Sequence, residues 1–324
     1  MACRFGIADL DTRPIVRDIV GRLSRYGEVV QLDCSDRDKL ARELKDIDIV
    51  LIRLYKVDEP FLSGSARLKA IIKAGVGYDH IDVKTASRLG IHVSISVGNH
   101  ISVAESAASL MLALCRNLIY LNRNTNPDMT KLGVELYGKN LGLFGAGRIG
   151  MHVAQIASGM GMRVSICDPY LTPERLAGTP YTLVDSETLI HDSDVLSLHC
   201  PLTDETRHII GEKELKAMKR AAFLINTARG AIVDEHALCA ALQNGVIAGA
   251  GLDVVENEPL REDNPLLRLK DVNLIVTPHR LIQTTESVQR QTQDLVESAI
   301  AYSKGVVPDS CVNKKDITSS RITG

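Results

Sequence analysis

Short apolar runs alternate with amphipathic stretches from the first residues of the chain. Residues 5–8, 29–32, 47–52, 70–73 and 93–94 read as buried strands, because each run is too brief and too uniformly apolar for an amphipathic helix. The segments between them carry helical periodicity. Asp11 is a predicted N-cap for a helix reaching Arg25 and Ser35 for one reaching Leu44, while Gly90 stops a helix that begins near Asp82. Regular alternation of strand and helix predicts a parallel sheet, since parallel neighbours need a crossover connection.

A longer helical pattern follows over 102–121, with Ser102 as cap and Glu105 as its reciprocal partner three residues on, and it is expected to link two domains. Residues 122–133, poor in apolar side chains, read as a loop. A second alternating series then places strands at 141–144, 163–167, 195–198, 222–226, 249–253 and 273–276. Six strands is the number of a doubly wound dinucleotide domain. A last helix over 287–303 ends at Gly305, and the polar tail 313–324 is expected to bury little.

Composition narrows the class without naming it. A chain of 324 residues, 45% hydrophobic and 24% charged, is long enough for two packed cores. With 38 Lys plus Arg against 40 Asp plus Glu, the net charge of -2 gives no broad attraction to nucleic acid or anionic membrane. Any anion site must be local. The seven cysteines (Cys3, Cys34, Cys115, Cys167, Cys200, Cys239 and Cys311) form no C-x-x-C pair and are expected to be reduced packing thiols, and no metal set is expected. The N-terminus shows no apolar leader stretch, and Glu105 and Arg116 interrupt the most apolar long segment. A cytoplasmic location is the expectation.

The first chemical signal is Gly145-Ala146-Gly147-Arg148-Ile149-Gly150, a G-x-G-x-x-G placed directly after the strand at 141–144 and before a helical pattern. Gly145 allows a tight turn, Gly147 lets backbone approach a pyrophosphate, and Gly150 permits close packing of helix on strand. The phosphates would meet the free N–H groups of the helix N-terminus. The next strand ends at Asp168, 18 residues beyond Gly150. A carboxylate there hydrogen-bonds a ribose 2′-hydroxyl and repels a 2′-phosphate, so NAD is the expected cofactor. The plainer reading of Asp168 is a cap for the turn before Pro169.

Three further segments begin where predicted strands end: Asn226-Thr227-Ala228-Arg229-Gly230, Gly251-Leu252-Asp253 with Glu256-Asn257-Glu258-Pro259, and Thr277-Pro278-His279. They offer a cation, a carboxylate and an imidazole. Hydride transfer at a carbonyl needs such a set: a proton donor for the oxygen and a cation to polarise the carbonyl. Singly, each of these residues reads as structural.

Together with Ala74-Gly75-Val76-Gly77-Tyr78-Asp79 and His199-Cys200-Pro201-Leu202-Thr203-Asp204-Glu205-Thr206, these motifs resemble the D-isomer-specific 2-hydroxyacid dehydrogenase family over nearly the whole chain. The resemblance implies two doubly wound α/β domains. A Rossmann NAD domain, 101–284, is inserted into a flavodoxin-like substrate domain made of 1–100 and 285–324. It implies an oxidoreductase moving a hydride to or from C2 of a small D-2-hydroxy or 2-keto acid. Arg229 would bind the substrate carboxylate and carbonyl, His279 would be the general acid/base, and Glu258 would hydrogen-bond His279 and favour its charged form. The amides around Gly75, Val76 and Gly77 would hold the substrate carboxylate. Asp253 would bind the nicotinamide amide. Val103, Arg148, Ile149, Cys200, Pro201, Thr206, Thr227 and Ala228 would line the cofactor. Members of the family are usually dimers or tetramers through the cofactor domain and its linking helix.

Two features depart from the family pattern. Arg280-Leu281-Ile282-Gln283 stands where small residues usually follow the histidine, and is expected to crowd the nicotinamide or reshape the pocket; the loop 122–133 is short and the chain has no Trp. Arg53 and Lys56, just past one strand, and Lys73, ending another, suggest that the substrate carries a second anionic group, as 3-phosphoglycerate does. Solvated surface cations are the plainer reading. Two other functions remain compatible with the motifs: an NAD(H)-sensing corepressor and a phosphite-type dehydrogenase. Glu258 argues against formate as substrate, because that chemistry needs no carboxylate-tuned imidazole.

Overall fold

The computed structural model describes residues 2–10 and 13–322, so the predicted cap Asp11 lies outside the described residues. The chain divides into two compact units, one made of 1–99 with 284–324 and the other of 100–283.

In the first unit, β1 (Cys3–Ile7), α1 (Arg13–Leu23), β2 (Gly27–Gln31), α2 (Arg37–Leu44), β3 (Ile49–Ile52), α3 (Glu59–Ser63), β4 (Ala70–Lys73), α4 (Val83–Arg88) and β5 (His92–Ile95) alternate along the chain. The five strands are all parallel, in the order β2-β1-β3-β4-β5, which is the flavodoxin-like winding. β3 and β4 are wholly buried, as their unbroken apolar sequences require when helices cover both faces. One cap and one helix differ from the pattern reading. Asp36, one residue beyond Ser35, accepts the Asp38 and Lys39 amides at the start of α2. The short helix α3 was not anticipated; Asp58 caps it and Pro60 enters its first turn.

The second unit runs through α5 (His100–Cys115), α6 (Leu118–Arg123), β6 (Asn140–Phe144), α7 (Arg148–Gly159), β7 (Arg163–Cys167), β8 (Thr182–Leu183), α8 (Ser186–Asp192), β9 (Val195–Leu198), α9 (Glu212–Ala217), β10 (Phe223–Asn226), α10 (Glu235–Gln243), β11 (Gly249–Leu252) and β12 (Leu274–Val276). The parallel order is β12-β11-β10-β9-β6-β7-β8, a doubly wound sheet with seven strands rather than six. The unforeseen β8 has only two residues, too few to leave a periodic signature. α5 lies against α7 and over β10 and β11, and Gly251 permits that approach: a Cβ there would come within 3.1 Å of both Leu110 and Leu114.

The predicted helix over 102–121 is two helices. It starts at His100, so Ser102 lies inside it rather than at its cap, and it breaks at Asn117, whose φ is 51°. The Asn117 side chain is buried and donates to the Leu132 carbonyl at 3.0 Å, which ties the break to the following loop.

In the first unit, α11 (Thr285–Ser303) packs beside α1, and Gly305 follows in a left-handed conformation. The tail after it is not loose. Asn313 is fully buried, accepts the Val93 amide at 2.9 Å, and donates to Ser87 Oγ at 3.0 Å and the Ile91 carbonyl at 2.9 Å. A polar tail buries well when its side chains satisfy an open sheet edge.

Candidate active site

One line of register across the second sheet organises the chemistry. Cys167 pairs with Phe144, Phe144 with Leu198, Leu198 with Asn226, Asn226 with Leu252, and Leu252 with Val276. Every candidate loop of this unit leaves the sheet at or just after that line: Asp168, Gly145, Cys200, Thr227, Asp253 and Thr277 each lie within two residues of it. In a parallel sheet these are all carboxyl ends, where a doubly wound fold exposes its ligands.

At the switch point between β6 and β9, the glycine loop takes the form its sequence requires. Gly145 has φ 98°, and a Cβ there would lie 2.8 Å from the Cys200 amide nitrogen. At Gly150 a Cβ would meet the Gly145 carbonyl oxygen at 2.2 Å, so α7 can pack this tightly on β6 only without a side chain. Gly147 is exposed, caps α7, and faces open space. Arg148 is exposed in the first turn, while Ile149 packs partly against the core.

Asp168 is both capping and cradling. Its Oδ2 accepts the Ala146 amide at 2.8 Å and its Oδ1 the Tyr170 amide at 2.9 Å, so the carboxylate anchors the glycine loop and the turn through Pro169. A cleft beside it is lined by Cys167, Pro169, Leu183, Val184, Asp185 and Thr188. In the loop after β9, Thr206 Oγ1 donates to the Pro201 carbonyl at 2.7 Å and accepts the Thr203 amide at 2.8 Å, which closes the 201–206 turn. Val103 is buried on α5. Burial pushes the Cys200 thiol up to about 11, in keeping with a packing residue. All seven cysteines are free.

The catalytic candidates converge on the ends of β10, β11 and β12. Asn226, buried at the end of β10, accepts the Ala228 amide at 3.0 Å and donates to the Arg229 carbonyl at 2.8 Å, which shapes the turn that carries Arg229. Arg229 Nη1 donates to the Ala228 carbonyl at 2.8 Å. After β12, His279 adopts φ 53°, and its Nδ1 lies 2.9 Å from Glu258 Oε2. The buried Asp253 brackets that histidine: its Oδ1 accepts Thr277 Oγ1 at 2.6 Å, the Arg280 amide at 3.0 Å and the Leu281 amide at 3.3 Å. Of the residues that depart from the family pattern, Leu281 packs against the core beside α5 and accepts from Ser106 Oγ at 3.0 Å, while Arg280 is exposed.

Two buried oxygens at this edge, Asp253 Oδ2 and Thr227 Oγ1, have no hydrogen-bond partner within the chain. Buried polar atoms left unpaired are costly, and a ligand that pairs them recovers that cost. Both residues are among those the sequence marked for the cofactor. With the exposed Gly147 amide region at the start of α7, they fit a dinucleotide.

In the first unit, Gly75 has φ 111° and leads into Val76 and Gly77 after β4. Lys73 is buried, and its Nζ donates to the Ala74 carbonyl at 2.7 Å. Ile52 and Lys73 are register partners, so Arg53 leaves the sheet beside Lys73; Lys56 is exposed. A residue that sequence reading passed over organises this turn. The Asp9 carboxylate accepts the amides of Arg53, Leu54 and Tyr55 at 2.5, 2.6 and 2.7 Å. No local pattern announces such a contact, because Asp9 and Arg53 are 44 residues apart.

Among the described residues, no group of three or more His, Cys, Asp or Glu is placed to hold a metal, and no helix is long and apolar enough to cross a membrane.

A parallel sheet of this winding with a glycine loop at its switch point and an acid-paired histidine at its edge defines a dinucleotide-dependent oxidoreductase. Residues 108–280 match the model of the D-isomer specific 2-hydroxyacid dehydrogenase NAD binding domain. A glyoxylate reductase of Korarchaeum cryptofilum is 37% identical over 320 residues, covering 93% of this chain and 95% of that protein. A D-3-phosphoglycerate dehydrogenase of Methanocaldococcus jannaschii is 38% identical over 320 residues, covering 97% of this chain and 60% of that longer protein. Among solved structures, D-lactate dehydrogenase from Aquifex aeolicus complexed with NAD and lactic acid superposes with a TM-score of 0.85 at 32% identity, covering 93% of this chain and 96% of the other. The chain belongs to the D-isomer-specific 2-hydroxyacid dehydrogenase family and is an NAD-dependent enzyme of that class.

Proposed function

We propose that this enzyme reduces a small 2-keto acid of the glyoxylate and hydroxypyruvate class, or oxidises the corresponding D-2-hydroxy acid, with His279, Glu258 and Arg229 as its catalytic residues. The observation that carries this reading is the 2.9 Å contact between Glu258 and His279 at the ends of two adjacent strands, with Arg229 at the end of the third.

Bound NAD supplies or accepts the hydride. Glu258 engages Nδ1 of His279, so Nε2 is the nitrogen that passes a proton to the substrate oxygen in reduction and takes it back in oxidation. The carboxylate offsets the positive charge of the imidazolium and fixes the ring's orientation. The Arg229 guanidinium, permanently charged, binds the substrate carboxylate and polarises the C2 carbonyl. Within the first unit, the turn through Val76 and Gly77 after the positive-φ Gly75 offers its amides as a candidate anion nest. Asp253 Oδ2 and Thr227 Oγ1 are assigned to NAD, together with Val103, Gly145, Gly147, Arg148, Ile149, Gly150, Asp168, Cys200, Pro201, Thr206 and Ala228.

A second substrate reading has its own support. Arg53 follows Ile52, the register partner of the buried Lys73 on the adjacent strand, which favours an acid with a second anionic group. Arg53→Ala and Lys56→Ala are then expected to raise KM for a phosphorylated keto acid far more than for glyoxylate; equal effects discard it.

The decisive test follows NADH oxidation with glyoxylate, hydroxypyruvate, pyruvate and phosphohydroxypyruvate, with His279→Ala and Arg229→Ala as controls. Turnover that both variants abolish supports the reading. Tight NADH binding without turnover of any acid overturns it and favours an NAD(H) sensor.

We also assign a second copy of the chain to the apolar surface of the second unit. Leu118, Leu121, Met129 and Leu132 on α6 and the loop after it are exposed, and large apolar side chains left open to water mark interaction surfaces when they cluster.

A further inference from the structure

α10 opens with two acids that do different work. Asp234 caps the helix by accepting the Ala237 amide at 3.0 Å. Glu235, one residue on, reads from sequence as an ordinary first-turn acid facing water. Instead it is 9% exposed. Its Oε2 accepts the Glu256 amide at 2.9 Å and its Oε1 accepts from Asn264 Nδ2 at 2.8 Å.

Those two partners flank Glu258. One buried carboxylate therefore ties down both ends of the segment that carries the partner of His279. Between the ties, Asn257, Glu258 and Pro259 and residues 261–263 are exposed, so core packing does little to hold them. The far end is fixed further by Asn264 Oδ1, which accepts the Leu266 amide at 2.9 Å, and Leu266 is buried in the core. At the near end, His208 Nε2 pairs with the Glu256 carboxylate at 2.7 Å from the exposed side. A buried, fully paired carboxylate is the stronger constraint, because its two acceptor atoms have no competing water.

We propose that Glu235 is a positioning residue for the reaction: it holds the 256–264 segment so that Glu258 meets His279. The proposal rests on the reading that Glu258 and His279 handle the proton. It assigns to Glu235 an effect on turnover rather than on affinity, since Glu235 touches neither the glycine loop nor Asp253.

The test uses the full chain with glyoxylate, or whichever keto acid turns over fastest, and compares Glu235→Ala, Glu235→Gln, Asn264→Ala, Glu258→Gln and the double variant Glu235→Ala with Glu258→Gln. Gln at 235 keeps one acceptor and turns an N–H toward the other donor; Asn264→Ala removes the far tie together with the bond to the Leu266 amide, leaves the near tie to Glu256, and guards against a variant that fails to fold. We expect kcat to fall roughly 10- to 30-fold in Glu235→Ala and about threefold in Asn264→Ala, with KM and the NADH Kd within about twofold, as for loss of a supporting contact. In the Glu258→Gln background, Glu235→Ala should cost less than about twofold more, the non-additivity of residues acting through one group. Full additivity overturns the proposal, as does a loss of NADH affinity in step with kcat. An unchanged kcat in Glu258→Gln sinks the proton-pair reading and this proposal with it.

Discussion

Gly230 packs directly on Val255: a Cβ at 230 would lie 1.9 Å from the Val255 carbonyl carbon and 2.3 Å from the Glu256 nitrogen. The turn that carries Arg229 is thereby stacked against the peptide that leads to Glu258. Gly230→Ala is expected to force the two loops apart, costing about 1–3 kcal/mol of stability by overpacking. The same shift should lower kcat more than tenfold, roughly the penalty of a displaced catalytic group. Denaturant midpoints and steady-state kinetics check both; wild-type values in either would show that the loops absorb the methyl group.

Asp168 accepts the Ala146 and Tyr170 amides at 2.8 and 2.9 Å, so it supports the glycine loop in addition to the discrimination against a 2′-phosphate proposed for it. Asp168→Asn should therefore weaken NAD binding about tenfold, or 1.4 kcal/mol, without a matching gain for NADP. Fluorescence titration with both reduced cofactors decides the point. Tighter binding of NADPH than of NADH would mean that charge repulsion is the residue's whole role.

His199 lies beneath the glycine loop, partly buried, with Nε2 2.9 Å from Ser197 Oγ and its β-carbon 3.6 Å from where a Cβ on Gly150 would stand. Burial lowers its pKa to about 4 from an ordinary value of 6.5. The folded state thus favours the neutral ring, and the unfolded state binds more protons between those values. Its contribution to stability is complete above pH 6.5 and is lost as pH falls toward 4, by up to about 3 kcal/mol. His199→Gln should flatten the melting temperature against pH over that window. An unaltered slope would assign acid sensitivity elsewhere.

The exposed leucines of α6 and its following loop predict the oligomeric state. Leu121→Glu and Leu132→Glu should convert an assembled enzyme to monomer in light scattering coupled to size exclusion, while NADH affinity persists. Variants that keep the wild-type mass would place the subunit contact on another face.

The strands, most helices and the glycine loop were legible in the sequence because they depend on local rules, whereas Arg229, Glu258 and His279 were singled out only by the resemblance of whole motifs to a family. Apolar runs mark strands buried on both faces, and a G-x-G-x-x-G between strand and helix has few other structural uses. The elements that escaped were short or interrupted. β8 and α3 carry too few residues for a period, and the helix break at Asn117 depends on a side chain reaching Leu132, 15 residues on.

What tertiary structure alone decided are pairings between residues far apart in the chain. Glu235 looks like any acid at a helix start until the fold brings Glu256 and Asn264 to it, 21 and 29 residues away. Asp9 reaches the turn at Arg53, and Asn313 turns a polar tail into buried edge strapping, by the same means. A buried polar group must find a partner, but its sequence neighbourhood does not say which one. Only the parallel register, set by whole strands packing between helix layers, selects among the candidates.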